Sequence, residues 1–266
     1  MSVHSLVAIA GRLLRISMLV TMIYRGQLFI WLISGVAPLF MMMIWWEVSR
    51  DRVINGYTAK DFAGYFLGVY LIRQLTAVWV IFVLNDEIRR GTLSGRLLSP
   101  IPPFWFHVAE HVGQMVVRAP IVITVFCAGG LLFSIELQTL VNQLPLFVVS
   151  LIMAWIIIFH VYYCAGLLAF WMANSIALDA AVWSLYTVLG STLIPVDLFP
   201  EATRSIVLLL PFSVALDFPV KVLFGKGSDI EYLQGFLLQV FWIVALIALR
   251  RKLWAQGLKR FSGAGI

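Results

Sequence analysis

Charge is what this chain lacks. Only 12% of its 266 residues are Asp, Glu, Lys or Arg, against about 25% in an ordinary soluble domain. The apolar share is 62%, above the roughly 45–50% of such a domain, and one globular core of this length would still leave much of its surface in water. A soluble enzyme, a nucleic-acid binder and a disordered chain are all poor fits; the solvent that suits the composition is a bilayer. Cysteine is scarce too. Cys127 and Cys164 lie in apolar runs without a CxxC spacing, which gives neither a disulfide framework nor a cysteine metal site. G-x-x-x-x-G-K-[ST] is missing: Gly225-Lys226 is followed by Gly227 and has Val220 where the first glycine belongs, so the chain carries no phosphate cradle of that type. There is no G-x-S-x-G elbow, soluble domain, low-complexity linker or internal repeat.

What is present is length without charge. Six stretches are apolar enough to cross a hydrocarbon core of about 30 Å as helices: Leu28–Trp46, Phe62–Leu84, Val112–Phe133, Leu146–Phe170, Ile176–Ile194 and Leu233–Leu249. Barrel strands would be about 10 residues long with strict alternation, and these runs do neither. Glu47, Arg50, Asp51 and Arg52 follow the first run where a cleavage site would need small residues, so it reads as a retained span. Ahead of it, residues 1–26 set Leu6, Ile9, Leu13 and Ile16 at near-helical spacing among Arg12 and Arg15, the pattern of an amphipathic helix lying in the inner headgroup layer.

An even number of spans puts both termini on one side. With the N-terminus inside, the inner segments hold Arg12, Arg15, Arg25, Arg89, Arg90, Arg96 and the cluster Arg250–Lys252 with Lys259 and Arg260. The outer ones hold fewer cations: Arg50, Arg52, Lys60, Arg204, Lys221 and Lys226. That bias predicts cytoplasmic termini and accounts for the net charge of +6 without nucleic acid.

Chemistry-bearing residues are few. His107-Val108-Ala109-Glu110-His111 matches H-x-x-E-H, which on a helix sets two imidazoles one turn apart to hold zinc, with Glu110 as base. The competing reading is a polar patch where an interfacial segment enters the third span. Three charges lie inside spans, where they are costly and usually functional or paired: Arg73, Arg118 and Asp179. Arg73 shares a helical face with Tyr70, Thr76 and Ala77, with Gln74 adjacent. At about 1.5 Å per residue, Arg118 and Asp179 reach similar depth. Either they pair, or each arginine snorkels or reaches backbone. An ion-coupled secondary transporter would need acids near the midplane, and Asp179 lies off centre.

Two segments between spans are long. The inner one reads Asp86-Glu87-Ile88-Arg89-Arg90-Gly91-Thr92-Leu93-Ser94-Gly95-Arg96-Leu97-Leu98-Ser99-Pro100-Ile101-Pro102. It resembles the loop after the second span in membrane subunits of bacterial type-2 ABC exporters, where E-x-x-x-G-T/x-L…L-L-x-x-P marks a coupling helix. Glu87, Gly91, Thr92, Leu93, Leu97, Leu98 and, one place early, Pro100 carry the match. The outer segment Ile194-Pro195-Val196-Asp197-Leu198-Phe199-Pro200, then Leu210-Pro211-Phe212, resembles the same family's Pro-bounded pair of short helices that dips into the outer leaflet. Among such exporters the chain is most similar to six-span stand-alone permeases.

The resemblance implies an all-α membrane domain over 1–266, with a coupling loop over 85–103 and a re-entrant outer segment over 195–212. It implies a permease subunit of the inner membrane, binding no cofactor of its own. ATP and Mg would sit on two separate ATPase subunits, and a second permease, identical or related, would complete the complex. Asp86, Glu87, Arg89 and Arg90 would supply polar contacts to the ATPase, with Leu93, Leu97 and Leu98 on one face for its groove. A path lined by the second and fifth helices would use Arg73, Gln74, Thr76, Asp179 and Trp183. Pro195, Phe199, Pro200 and Pro211 would form an outer gate. The cargo expected by this analogy is amphipathic or hydrophobic, a drug, lipid or metabolite.

Overall fold

A computed structural model describes residues 3–23, 35–135, 137–172 and 176–261, with positions 26, 30 and 33. It is 80% helix, with no strand among the described residues. In chain order the helices are α1 (Val3–Ile23), α2 (Ala37–Val48), α3 (Ala59–Thr76), α4 (Val80–Arg89), α5 (Leu93–Leu97), α6 (Pro103–Leu132), α7 (Leu137–Leu167), α8 (Ala177–Leu189), α9 (Glu201–Val207), α10 (Pro211–Leu223) and α11 (Asp229–Leu258).

Among the described residues, four units are long and apolar enough to span a membrane: α3 with α4 (Ala59–Arg89), α6, α7 with its 3-10 extension (Gln138–Phe170) and α11. The pair α9 and α10, bent by 97°, makes a fifth if taken as one span. The described residues thus give four or five of the six expected spans. α8 has 13 residues, about 20 Å at 1.5 Å each against a core of about 30 Å, because the chain leaves the helix at Gly190 and takes φ +65° at Ser191. Of the expected first span, α2 supplies 12 residues; positions 28, 29, 31, 32 and 34 lie outside the described residues.

Two of the long helices begin with capping boxes, Thr58 with Asp61 on α3 and Ser228 with Glu231 on α11, each pairing orphan N–H groups where the chain turns in. Once inside, α3 and α10 form the centre. Every residue from Phe62 to Ile72 is buried, and every residue of α10 except Phe218 and Lys221. The outer helices are the reverse: of the 30 residues of α11 only Gly235, Gln239, Leu246 and Gly257 are buried. A helix that apolar and that exposed has its greasy face turned to lipid.

The bundle has two ends. At one, the Arg250 guanidinium lies 3.9 Å over the Phe104 ring, and Phe170 meets Trp254 and Phe261. At the other, Trp45 donates its indole N–H to Leu193 O (3.1 Å) and Lys226 pairs with Asp61 (2.6 Å). The segment α9–α10 leaves and returns to this second end. Arg204 on α9 and Lys221 near the end of α10 reach the same Asp197 oxygen. Between them, Leu209 O accepts from the Trp242 indole (2.9 Å) and Val214 O from Gln239 (3.1 Å), both well along α11.

α1 is a helix of 21 residues. It lies against α6, with Ser17 donating to Glu110 O (2.8 Å) and filling the space over Gly113, while Ile16, Leu19, Val20 and Ile23 stay exposed.

Close approach of α3 to α10 rests on glycine. A Cβ on Gly68 would stand 2.9 Å from the Phe224 ring and 3.3 Å from Val220, whereas one on Gly95 would meet nothing within 4 Å. Gly68→Val should therefore cost about 1–3 kcal/mol, seen as a lowered melting temperature of the detergent-purified protein, and Gly95→Ala should leave melting unchanged.

Candidate functional site

The helical path from α3 to α4 breaks at membrane depth. Ala77 is extended (φ −62°, ψ 130°) and α4 restarts after Trp79. No proline or glycine stands at Ala77-Val78-Trp79, so the break is held from outside. Freed backbone groups at such depth have no water and need protein partners. α6 supplies them. Arg118, 1% exposed, donates from Nη2 to Ala77 O (3.1 Å), and His111 Nε2 accepts the Trp79 N–H (3.0 Å). His111 Nδ1–H in turn donates to His107 O (2.8 Å), which fixes its tautomer.

Beside the break is a cavity of about 90 Å³ lined by Arg73, Gln74, Arg118, Tyr162, Asp179, Trp183 and Tyr186. Four of the five residues expected to line a path thus come together. The fifth, Thr76, adjoins them, sharing a 3.2 Å hydrogen bond with the Tyr186 hydroxyl. Arg73 Nη1 donates to Thr192 Oγ1 (2.8 Å) and Thr187 Oγ1 (3.2 Å), and its guanidinium lies 5.1 Å from the Tyr186 ring and 5.7 Å from Trp183. The expected Arg118–Asp179 pair is not among the ion pairs of the described residues. Arg118 reaches backbone, as the competing reading had it, because the break supplies a carbonyl at its own depth.

The inner loop hangs from α4. Gly91 (φ +73°) ends that helix in the left-handed conformation that glycine adopts freely. Glu87 turns inward: Oε1 accepts from Arg96 Nε (2.8 Å) and Oε2 from His107 Nε2 (3.0 Å), while the Tyr163 hydroxyl meets His107 Nδ1 (3.3 Å). Leu93 is fully buried. Glu87 and Leu93 therefore face the chain itself, not an ATPase groove, which corrects the expectation for both. Asp86, Arg89, Arg90, Thr92, Leu97, Leu98 and Pro100 are exposed, Leu98 at 88%. The zinc reading of His107, Glu110 and His111 also loses its ligands. Both nitrogens of both imidazoles are occupied by Glu87, Tyr163, Trp79 and His107 O.

At the opposite end, each proline starts an element: Pro195 a 3-10 turn (Val196–Leu198), Pro200 α9 and Pro211 α10, with Phe199 in the extended link. The polar hub there went unassigned in the sequence. Asp197 takes Tyr57 OH (2.7 Å), Arg204 (2.9 Å) and Lys221 (2.9 Å) on its carboxylate, and Asn55 Nδ2 (2.8 Å) on its carbonyl. Lys221 also pairs with buried Asp217 (3.0 Å), which accepts from Tyr65 OH (2.9 Å). The signal was present: Asn55-Gly56, with φ +48° and +83°, closes the tight turn from Ile54 to Tyr57 that aims both side chains at Asp197.

Long apolar helices, lipid-facing around a buried returning segment, are those of a multi-pass membrane protein. The chain belongs to the ABC-2 family of transporter proteins, whose family model matches residues 18–265. Membership makes it the transmembrane subunit, not the nucleotide-binding one, and implies association with an ABC ATPase subunit. No curated protein and no solved structure matches it significantly.

Two outcomes follow from this geometry. His111→Ala removes the acceptor of the Trp79 N–H and should destabilise the protein by about 1–3 kcal/mol, read as a lower melting temperature, whereas Cys127→Ser on an exposed face of α6 should not. At the hub, burial alone would raise the Asp197 carboxyl, but Lys221, Tyr57 and Arg204 outweigh it and hold it below its ordinary 3.8. A depressed folded value means stability that is fully present above the unfolded value and lost as pH falls through the folded one. Melting should therefore decline on acidification below pH of about 4, and less steeply in Asp197→Asn, which is already weakened at neutral pH.

Proposed function

We propose that this chain is the permease subunit of an ATP-driven exporter that moves an amphipathic or hydrophobic compound, a drug, lipid or metabolite, out across a bacterial inner membrane. ATP and Mg²⁺ sit on two separate ATPase subunits, docked beneath this chain and a second permease, identical or related. Both termini are cytoplasmic in this reading, and α1 lies in the inner headgroup layer. The end that carries Arg250–Lys252 also carries the inner loop, as the positive-inside rule favours.

One observation carries the proposal: α4 joins the exposed loop to the helix break and is tied to α6 near both of its ends. Glu87 meets His107 near the loop, and Trp79 meets His111 at the break, one turn further along α6. A push on Leu97 and Leu98 moves α4 and the first half of α6 as a unit. The displacement is then taken up between Thr76 and Val80, beside the cavity that holds Arg73 and Asp179. The Asp197 hub and the three prolines close the outer end as a gate, and the loop contacts its ATPase through Asp86, Arg89, Arg90, Thr92, Leu97, Leu98 and Pro100.

The test is Leu98→Glu, assayed with the partner ATPase in proteoliposomes. Leu98 is 88% exposed, so folding should hold while a charge in the ATPase groove cuts transport-coupled ATP hydrolysis at least about tenfold. Unchanged coupled hydrolysis with full assembly overturns the reading.

A further inference from the structure

We propose that the cavity beside the helix break binds an oxyanion headgroup of the transported compound, with Arg73 as its counter-ion; the inference rests on the permease reading. Arg73 sits deep in the Ala59–Arg89 span, where an arginine is costly and usually functional. Its hydrogen-bond and ring partners are neutral. Two threonine hydroxyls take Nη1, and the rings of Tyr186 and Trp183 flank the guanidinium. Neither Arg73 nor Asp179 is in an ion pair among the described residues. The Nη2 and Nε edge of the fork, which suits a bidentate carboxylate or phosphate, makes no hydrogen bond with a described residue.

Charge decides the sign of the ligand. Among the described residues that line the cavity, Arg73 and Arg118 stand against one carboxylate, Asp179, so an anion is favoured and a cation disfavoured. Size decides its extent. About 90 Å³ is enough for a headgroup and well below the roughly 300–1,000 Å³ of a pocket that encloses a whole drug-sized ligand. The remainder leaves over Trp183, half-exposed at 50%, beside Tyr162 and Tyr186. The compound class is therefore an anionic amphiphile with an apolar or aromatic body. Asp179 opposes the anion and sets how tightly it is held.

The experiment uses the chain purified with its ATPase in nanodiscs and two matched probes, naphthyl phosphate and naphthyl-trimethylammonium, titrated by calorimetry. The phosphate should bind saturably and at least about tenfold tighter than the ammonium. Arg73→Gln should lose about tenfold or more, the loss of charge-assisted hydrogen bonds. Asp179→Asn should move the other way and bind the phosphate more tightly. Equal affinity for the two probes, an unaffected Arg73→Gln, or Asp179→Asn that binds no more tightly each overturns the inference. If Arg73→Gln does not fold, the sign of the Asp179→Asn change decides. A complex whose hydrolysis still depends on Leu98, yet which fails these titrations, refutes the headgroup site and leaves the permease reading standing.

Discussion

A backbone group without a hydrogen bond in the middle of a bilayer is the cost around which this molecule is arranged. Water is absent there, and each orphaned N–H or C=O costs several kcal/mol. A continuous helix avoids the cost, so an interrupted one must be paid for by side chains from elsewhere. Ala77 O and Trp79 N–H are the groups in question, and Arg118 and His111, both on α6, satisfy them. The placement of α6 against α3, the tautomer of His111 and the burial of Arg118 all follow from that one requirement. The break exists because α6 has the residues to sustain it.

The same constraint explains why polar side chains at membrane depth turn inward while the surface facing lipid is apolar. α11 turns an almost unbroken apolar surface outward, and its buried Gln239 bonds to Ser150 and to Val214 O, holding α7 and α10 together. At the end of the bundle that carries α9, water can reach polar groups and their cost is lower, and the Asp197 hub is correspondingly richer in charge. There one carboxylate gathers the Asn55-Gly56 turn, the 3-10 turn after Pro195, α9 and the end of α10.

How far all this was legible varied with the physical signal. Long spans were plain from hydropathy, since length and absence of charge are local properties. Gly91 and the three outer prolines were readable as punctuation, because a positive φ and a missing N–H are properties of one residue. The interruption at Ala77–Trp79 was not, for nothing in those residues breaks a helix; its cause lies at His111 and Arg118, more than thirty positions away. The stripe His107, His111, Gln114, Arg118 was visible as a stripe, but whether it faced a metal, Asp179 or a backbone carbonyl depended on what α6 packs against. Glu87 and Leu93 failed for a related reason: a motif places them in the loop but cannot say which way they turn. Asp197 was hidden because its partners are spread from Asn55 to Lys221.

These pieces determine where motion is possible. The centre of the bundle, α3 against α10, is close-packed around glycines and rings, and such a core resists deformation. The polar contacts at the break have no such rigidity, since an arginine fork or an imidazole can exchange one acceptor or donor for another within the same reach. α4 is tied to α6 at Glu87–His107 and packs on α7, where Gly166 lies against Ile81 and Leu84, and its link to α3 is the interrupted stretch between Thr76 and Val80. The Arg73 cavity lies against that stretch, and Ala77, Val78 and Trp79 form part of its wall. The interruption is thus also the place where α4, which carries the inner loop at its other end, meets the charged cavity.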